Sequence, residues 1–420
     1  MDIKKQRGQF FTTNQKVLDT LISLIKNDGD VFEPSAGSGH IISAVENKFK
    51  NKIYSCELDS SKIQDKVCVN EITNINFFDY IKNGKKYSTT IGNPPFVKLK
   101  NVEEETINLL PEKIRGNGNL YYFFIKYSVE VLNENGELIF IVPKEWLYNT
   151  SSQFLRDYLK SIGNFTHFID CGEEKLFDDA DVPALCIFRF QKNYNGMTKY
   201  YDSIDNFEMN RYTEKKCNYG KTISFTINNI DSNKISDFFD VKVGLVTGLE
   251  SVFKVSEDNN FELNCSIQMM TTNKTLMNYL YLDNFNSIDE IPPITREFIL
   301  SKKEVLLKRK IKKFTKNNWW KYGAIRNLEI MKSNKPRIYG LMKTRDKNPF
   351  WIGQPKTYFS GGVFALFPKK DTHLNLNDIV NYLNSDSFKE ILLESNMYSN
   401  NKVSFTPTAF ASLPINIKNF

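Results

Sequence analysis

The stretch Asp30-Val31-Phe32-Glu33-Pro34-Ser35-Ala36-Gly37-Ser38-Gly39-His40-Ile41-Ile42 constrains the fold most, because it reads as a buried strand, a small-residue loop and the opening of a helix. Lys52-Ile53-Tyr54-Ser55-Cys56 follows as a second strand and ends in the acids Glu57 and Asp59. Glycines at the first turn with a carboxylate about 20 residues further on mark a βαβ unit that sets an acid on a ribose diol. The loop also excludes ligands. No Lys-Ser/Thr pair follows it, which argues against a triphosphate, and it carries two glycines where a dinucleotide site prefers three. Glu33 would repel a pyrophosphate, whereas it suits a cation such as the methionine end of S-adenosylmethionine. A third strand is expected at Ile75-Asn76-Phe77-Phe78, ending at Asp79, placed to accept from the adenine amine of that cofactor.

Asn93-Pro94-Pro95-Phe96 directly follows the strand end Thr89-Thr90-Ile91-Gly92. Two prolines lack backbone N–H groups and fix φ, so the Pro94 carbonyl is held outward, out of any helix or ladder. The Asn93 side-chain carbonyl can stand beside it. Two adjacent acceptors with an aromatic ring one step on suit a planar exocyclic amine, whose N–H groups are held while its ring stacks on Phe96. Adenine, cytosine, guanine and a glutamine amide all carry such an amine. A Pro-Pro turn that merely closes a strand would read the same way if the motif stood alone.

Along the first half, strands near 31, 52–57, 75–78 and 87–92 alternate with helices near 14–26 and 40–49. A helix at 120–132, a strand at 136–142, a helix at 150–161 and strands near 165–170 and 184–190 continue the series. Such alternation predicts an open parallel sheet with helices on both faces. The candidate motifs fall just after strands, where ligands of such sheets bind. From Ile223 the pattern changes to short β-like runs, polar turns and aromatics, so two domains are expected, 1–222 and 223–420, the second of mixed α+β type.

These residues resemble the TaqI-type, gamma-class adenine-N6 DNA methyltransferases of type II restriction–modification systems. Arg7 to Thr13 is similar to the family's first motif, Phe32 to Gly39 to its glycine loop, Cys56 to Asp59 to its ribose acid, Phe78-Asp79-Tyr80 to its adenine-binding pair and Asn93 to Phe96 to its catalytic tetrapeptide. Gly118 to Tyr121, Ile141 to Leu147, Gly172 to Phe177 and Ala184 to Phe190 match later segments, and Val243 to Gly248 with Tyr382 to Phe388 resemble the ends of its target-recognition region. The family often has tyrosine where this chain has Phe96. The resemblance implies a Rossmann-like catalytic domain that binds S-adenosyl-L-methionine through Thr12, Glu33, Ser35, Ala36, Gly37, Glu57, Leu58, Asp79, Tyr80 and Asn93. It implies methylation of an extruded adenine by Asn93 and Pro94, with Phe96 and Phe177 as stacking aromatics. Duplex DNA is then the substrate of a cytoplasmic monomer, and a cognate restriction endonuclease a further partner. Lys98, Lys100 and Arg115, near the tetrapeptide, are candidate backbone contacts. A modification subunit of a multisubunit system, an rRNA guanine-N2 methyltransferase and a protein-glutamine methyltransferase are the alternatives, beside a silent nucleic-acid-binding module.

Charge permits this reading without requiring it: 56 Lys+Arg against 49 Asp+Glu give a net charge of +7. Residues 302–321 concentrate Lys302, Lys303, Lys308, Arg309, Lys310, Lys312, Lys313, Lys316 and Lys321 against Glu304, with Trp319 and Trp320 embedded. In a DNA context Lys308, Arg309 and Lys310 are expected on phosphates; otherwise the stretch is a solvated face. Six scattered cysteines without a Cys-x-x-Cys pair read as reduced thiols, and three distant histidines suggest no metal site. No run approaches the ~18 apolar residues of a membrane span.

Overall fold

Val31, Phe32 and Glu33 are buried at successive positions, as happens in a strand covered on both faces. In the computed structural model, which describes residues 12–110, 118–172, 174, 176, 184–227, 233–256, 261–309, 314–315, 317–369, 375–399 and 402–415, this strand is the hub of a sheet. The elements are β1 (Val31–Glu33), β2 (Ile53–Glu57), β3 (Thr73–Asn74), β4 (Tyr87–Gly92), β5 (Leu132–Pro143), β6 (Gly163–Gly172), β7 (Leu185–Lys192), β8 (Thr198–Tyr201), β9 (Thr213–Tyr219) and β10 (Ile223–Thr226). Among the described residues their order is β10-β9-β8-β6-β7-β5-β4-β1-β2-β3. Strands β3, β2, β1, β4 and β5 run parallel. Beyond them the expected open parallel sheet turns mixed: β7 enters antiparallel between β5 and β6, and β9 and β10 are antiparallel additions.

Alternation along the strands builds two chemically distinct faces. On one, Val31, Ile91, Ile139 and Ile141 share an aliphatic core with Val17, Leu21, Ile41 and Val45 of helices α1 (Gln15–Ser23) and α2 (His40–Lys48). On the other, the Phe32 ring stacks on Tyr80 and Tyr87 at 5.2 and 4.6 Å. Phe77 joins this aromatic layer and stacks on Phe124 at 4.7 Å.

The expected strand at 75–78 is a helical turn instead. Pairing with β2 ends at Asn74, and the Asn76 side chain accepts the Phe78 N–H at 3.0 Å, capping α3 (Phe77–Tyr80). Burial of both Phe77 and Phe78 suits a helix start better than a strand that alternates faces.

At the opposite edge from the strands' carboxyl ends, the fully buried Glu137 gathers the chain. Its Oε1 accepts from the backbone N–H groups of Lys26 and Asn27 and from the Thr89 hydroxyl, at 2.9, 3.0 and 2.9 Å. Its Oε2 pairs with the Arg189 guanidinium of β7.

The chain divides into two compact units, one of residues 1–231 with 392–400 and one of 232–391 with 401–420. The first therefore takes in β10, which lies past residue 222. The second is mixed α+β. One of its sheets is antiparallel, ordered Phe239–Val243, Val363–Pro368, Arg337–Leu341, Phe350–Gly353, and another holds Ser266–Met270 between Leu276–Leu280 and Tyr358–Phe359. Trp319, Trp320, Tyr322 and Phe253 are buried in its core.

Glu137→Ala is expected to cost about 3–5 kcal/mol, because it strands the Arg189 charge inside the sheet. Denaturant unfolding checks this: Glu137→Gln, which keeps an acceptor for Lys26, Asn27 and Thr89, combined with Arg189→Met should recover most of the loss. Equal losses in the single and double variants would show that the pair is not what holds this edge.

Candidate active site

The carboxyl ends of β1, β2 and β4 converge, and their sequence makes the loops that follow tight. Gly39 sits at φ +81°, and a Cβ there would lie 2.4 Å from the Cys68 sulfur, so the turn into α2 excludes a side chain. The loop is stitched to its neighbours by Ala36 N–H donating to the Cys56 carbonyl at 3.0 Å and Gly39 N–H donating to the Ala36 carbonyl at 2.8 Å.

Two acids occupy this edge. Glu33 is 2% exposed, and its Oε2 has no hydrogen-bond partner among the described residues. Burial, reinforced by the nearby Glu57, pushes its carboxyl well above the ordinary range. Glu57 is better served: its two oxygens accept from the Gly37 and Asp59 N–H groups, each at 2.8 Å. Burial raises its pKa as well, with those backbone donors opposing the shift. Leu58, next in the chain, is 52% exposed.

The tetrapeptide begins where β4 ends. Asn93 Nδ2 donates to Thr12 Oγ1 at 3.1 Å, and Ser35 Oγ donates to the Asn93 carbonyl at 3.3 Å. Thr12, Ser35 and Asn93 therefore form one polar cluster from three distant stretches of sequence. Pro94 is buried and Phe96 half-buried. Sequence reasoning missed what supports Phe96: the Tyr121 ring meets it edge-on at 5.8 Å. Tyr121 was legible only as part of the stretch before a helix, since nothing local marks it as Phe96's neighbour. The backbone beyond the tetrapeptide is fastened by Leu120 N–H to the Val97 carbonyl at 2.8 Å and Leu99 N–H to the Gly118 carbonyl at 3.0 Å. Lys98 and Lys100 are exposed there.

Other expected site residues sit differently. Asp79 accepts from Lys82 Nζ at 2.7 Å, and one side of the Tyr80 ring is taken up by the stack on Phe32. Arg7, Arg115, Phe177 and Lys310 lie outside the described residues. In the second unit Lys308 is exposed, but Arg309 is a structural residue: its guanidinium donates to the carbonyls of Leu306, Thr247, Lys321 and Trp319. Burial lowers its pKa to about 10. The phosphate contact expected of Arg309 is corrected accordingly, because this side chain already satisfies four backbone acceptors. Trp319 and Trp320 are core residues. No group of three or more His, Cys, Asp or Glu suited to a metal ion occurs among the described residues, and each of the six cysteines is buried. No helix of the described residues is long and apolar enough to cross a membrane.

A glycine loop at the switch into α2, an unsatisfied buried carboxyl suited to a cationic group, a second acid held by loop N–H groups and an exposed leucine fit S-adenosylmethionine. Together with the sheet they give a Rossmann-like fold with the features of an S-adenosylmethionine site. Residues 14–177 match the family described as Eco57I restriction-modification methylase. The type II methyltransferase M.HindII of Haemophilus influenzae is 24% identical over 97% of this chain and 89% of its own. M.AccI of Acinetobacter calcoaceticus is 30% identical over 48% of this chain and 40% of its own. Among solved structures, the type IIL restriction–modification enzyme MmeI in complex with DNA matches with a TM-score of 0.59 at 13% identity, over 96% of this chain and 63% of that one. Along 97% of its length the chain is thus similar to type II methyltransferases.

Because the folded state raises Glu33 above its ordinary value of 4.5, it binds a proton there that the unfolded chain gives up. That contribution to stability is complete below 4.5 and is lost as pH rises through the folded value. Glu33→Gln in the cofactor-free protein should therefore raise Tm near neutral pH and leave it unchanged in acid. A Tm difference independent of pH would place the carboxyl in a solvated setting.

Proposed function

We propose that this chain transfers a methyl group from S-adenosylmethionine to the N6 amine of an adenine turned out of duplex DNA. The observation that carries the reading is the placement of Asn93-Pro94-Pro95-Phe96 directly after β4, the strand paired with β1 that ends in Glu33, with Thr12, Ser35 and Asn93 hydrogen-bonded together. Bound there, the cofactor supplies an electrophilic sulfonium methyl. Glu33 would offer its carboxylate to the methionine ammonium and Glu57 its oxygens to the ribose hydroxyls, while Leu58 would cover an apolar face and Asp79 would take the adenine amine in exchange for Lys82.

The amine of adenine is a poor nucleophile because its lone pair is delocalised. The Asn93 side-chain oxygen and the Pro94 carbonyl would accept its two N–H bonds and favour a pyramidal nitrogen, whose lone pair is then available to a methyl donor. No strong base is needed beforehand, since the proton would pass to water once the nitrogen is cationic. The base must leave the stack to be reached, and Phe96 and Phe177 receive it. Residues 1–222 then serve as the catalytic domain and 223–420 as the reader of the target sequence. Lys98, Lys100 and Lys308, all exposed, are the phosphate contacts this reading keeps. Duplex DNA is the substrate of a single chain, and a cognate endonuclease would cut unmodified sites.

Asn93→Ala should lower turnover on duplex DNA by about 10²-fold or more with cofactor affinity little changed, as expected for a contact tightened in the transition state. Methylation by the purified chain with labelled cofactor measures this, and near-normal turnover would sink the assignment. Labelled product on RNA or protein but not on DNA would favour the alternative substrates.

Glu57→Ala should weaken cofactor binding by about 1–3 kcal/mol, while DNA binding without cofactor stays intact. Calorimetry that finds unchanged cofactor affinity would put the ribose elsewhere.

A further inference from the structure

Lys144 and Asp170 form an ion pair at the carboxyl ends of β5 and β6, with side chains only 3% and 11% exposed. The two strands are not neighbours. β7 lies between them, and its Cys186 faces Val142 on one side and Asp170 on the other. The pair therefore bridges across the start of β7, at the same sheet edge as the tetrapeptide. Asp170 is held further by the Gly172 N–H at 3.0 Å and the Tyr200 hydroxyl at 3.3 Å. Lys144 has a second tie, its backbone N–H donating to the Ala184 carbonyl at 2.8 Å.

The residue before Lys144 links this bridge to the site. The Pro143 carbonyl accepts the Tyr121 hydroxyl at 3.2 Å, and the Tyr121 ring meets Phe96 at an interplanar angle of 76°. A buried ion pair is a poor device for stability alone, because an apolar pair of similar volume is often as good or better. It does fix direction, since both partners must meet in one geometry.

We infer that Lys144 and Asp170 are positioning residues for the target base: their bridge sets the Pro143 carbonyl, which holds Tyr121, which sets the tilt of the Phe96 ring. The inference rests on the base-extrusion reading above and adds the group that determines where the receiving ring stands. Neither side chain touches the reacting atoms.

The test pairs Lys144→Met with Asp170→Asn, which removes the ion pair but keeps an acceptor for the Gly172 N–H and the Tyr200 hydroxyl, in the full chain, after the methylated adenine has been mapped by sequencing DNA from an expressing host. The double variant should keep or exceed the parent Tm and keep its affinities for S-adenosylmethionine and duplex. Its single-turnover methylation rate should fall by about 10²-fold, the scale of a small misplacement of reacting groups. A duplex carrying 2-aminopurine at the mapped position gives a second readout: emission with the double variant should exceed that with the parent, because the extruded base stacks less well. Lys144→Arg, which retains the pair, should restore the rate in large part. Parent-like rate and emission in the double variant overturn the inference, as does a rate loss that tracks a fall in Tm or cofactor affinity. No rise in emission with the parent chain overturns base extrusion itself, and this inference with it.

Discussion

One buried carboxylate, Glu137, fastens one edge of the sheet. It ties the connection between α1 and β1, the Thr89 hydroxyl on β4 and the guanidinium on β7 to one point on β5. Those are the strands whose far ends carry Glu33, Gly92 and the tetrapeptide. A strand rises about 3.3 Å per residue, so a slip of one residue at this edge would separate the groups at the other by that distance and turn their side chains to the wrong face. The stagger of β1, β4 and β5 is thus set far from the chemistry and delivered to it by rigid backbone.

The opposite edge accepts a cost the first avoids. Glu137 has a guanidinium partner; Glu33 has only the Ile42 backbone N–H, its Oε2 being without a hydrogen-bond partner among the described residues, and its neighbour Glu57 is another acid. Functional sites are where such unfavourable groupings persist. The loop N–H groups of Gly37 and Asp59 relieve Glu57 only. On the function proposed above, a cationic ligand would offset the remainder, so binding there would gain from an arrangement that folding alone would not select.

What could be read from the sequence was what depends on neighbours in sequence. The glycine loop, the acid after β2 and the tetrapeptide after β4 announce themselves because turn chemistry is local. The turn at 77–80 was misread because two phenylalanines look like strand, and the Asn76 cap that decides the matter competes quietly with them. The antiparallel insertion of β7 leaves no mark in its own residues, whose hydrophobic run suits either direction. Arg309 looked like a phosphate ligand by its basic company, yet the fold spends it on four carbonyls. Lys144 and Asp170 lie 26 residues apart, and only the tertiary fold shows them as a pair.

The two prolines after Asn93 carry a consequence of a different kind. Their φ angles are closed by covalent rings, so much of the shape of this corner exists before the chain folds. Asn93 and Phe96, by contrast, depend on Thr12, Ser35 and Tyr121, which arrive from elsewhere in the chain. As the protein warms, the corner should therefore loosen from its two ends inward: the flanking side chains lose their settings while the carbonyl between the rings still holds its direction. Heat then removes the aim of the site before it removes its shape.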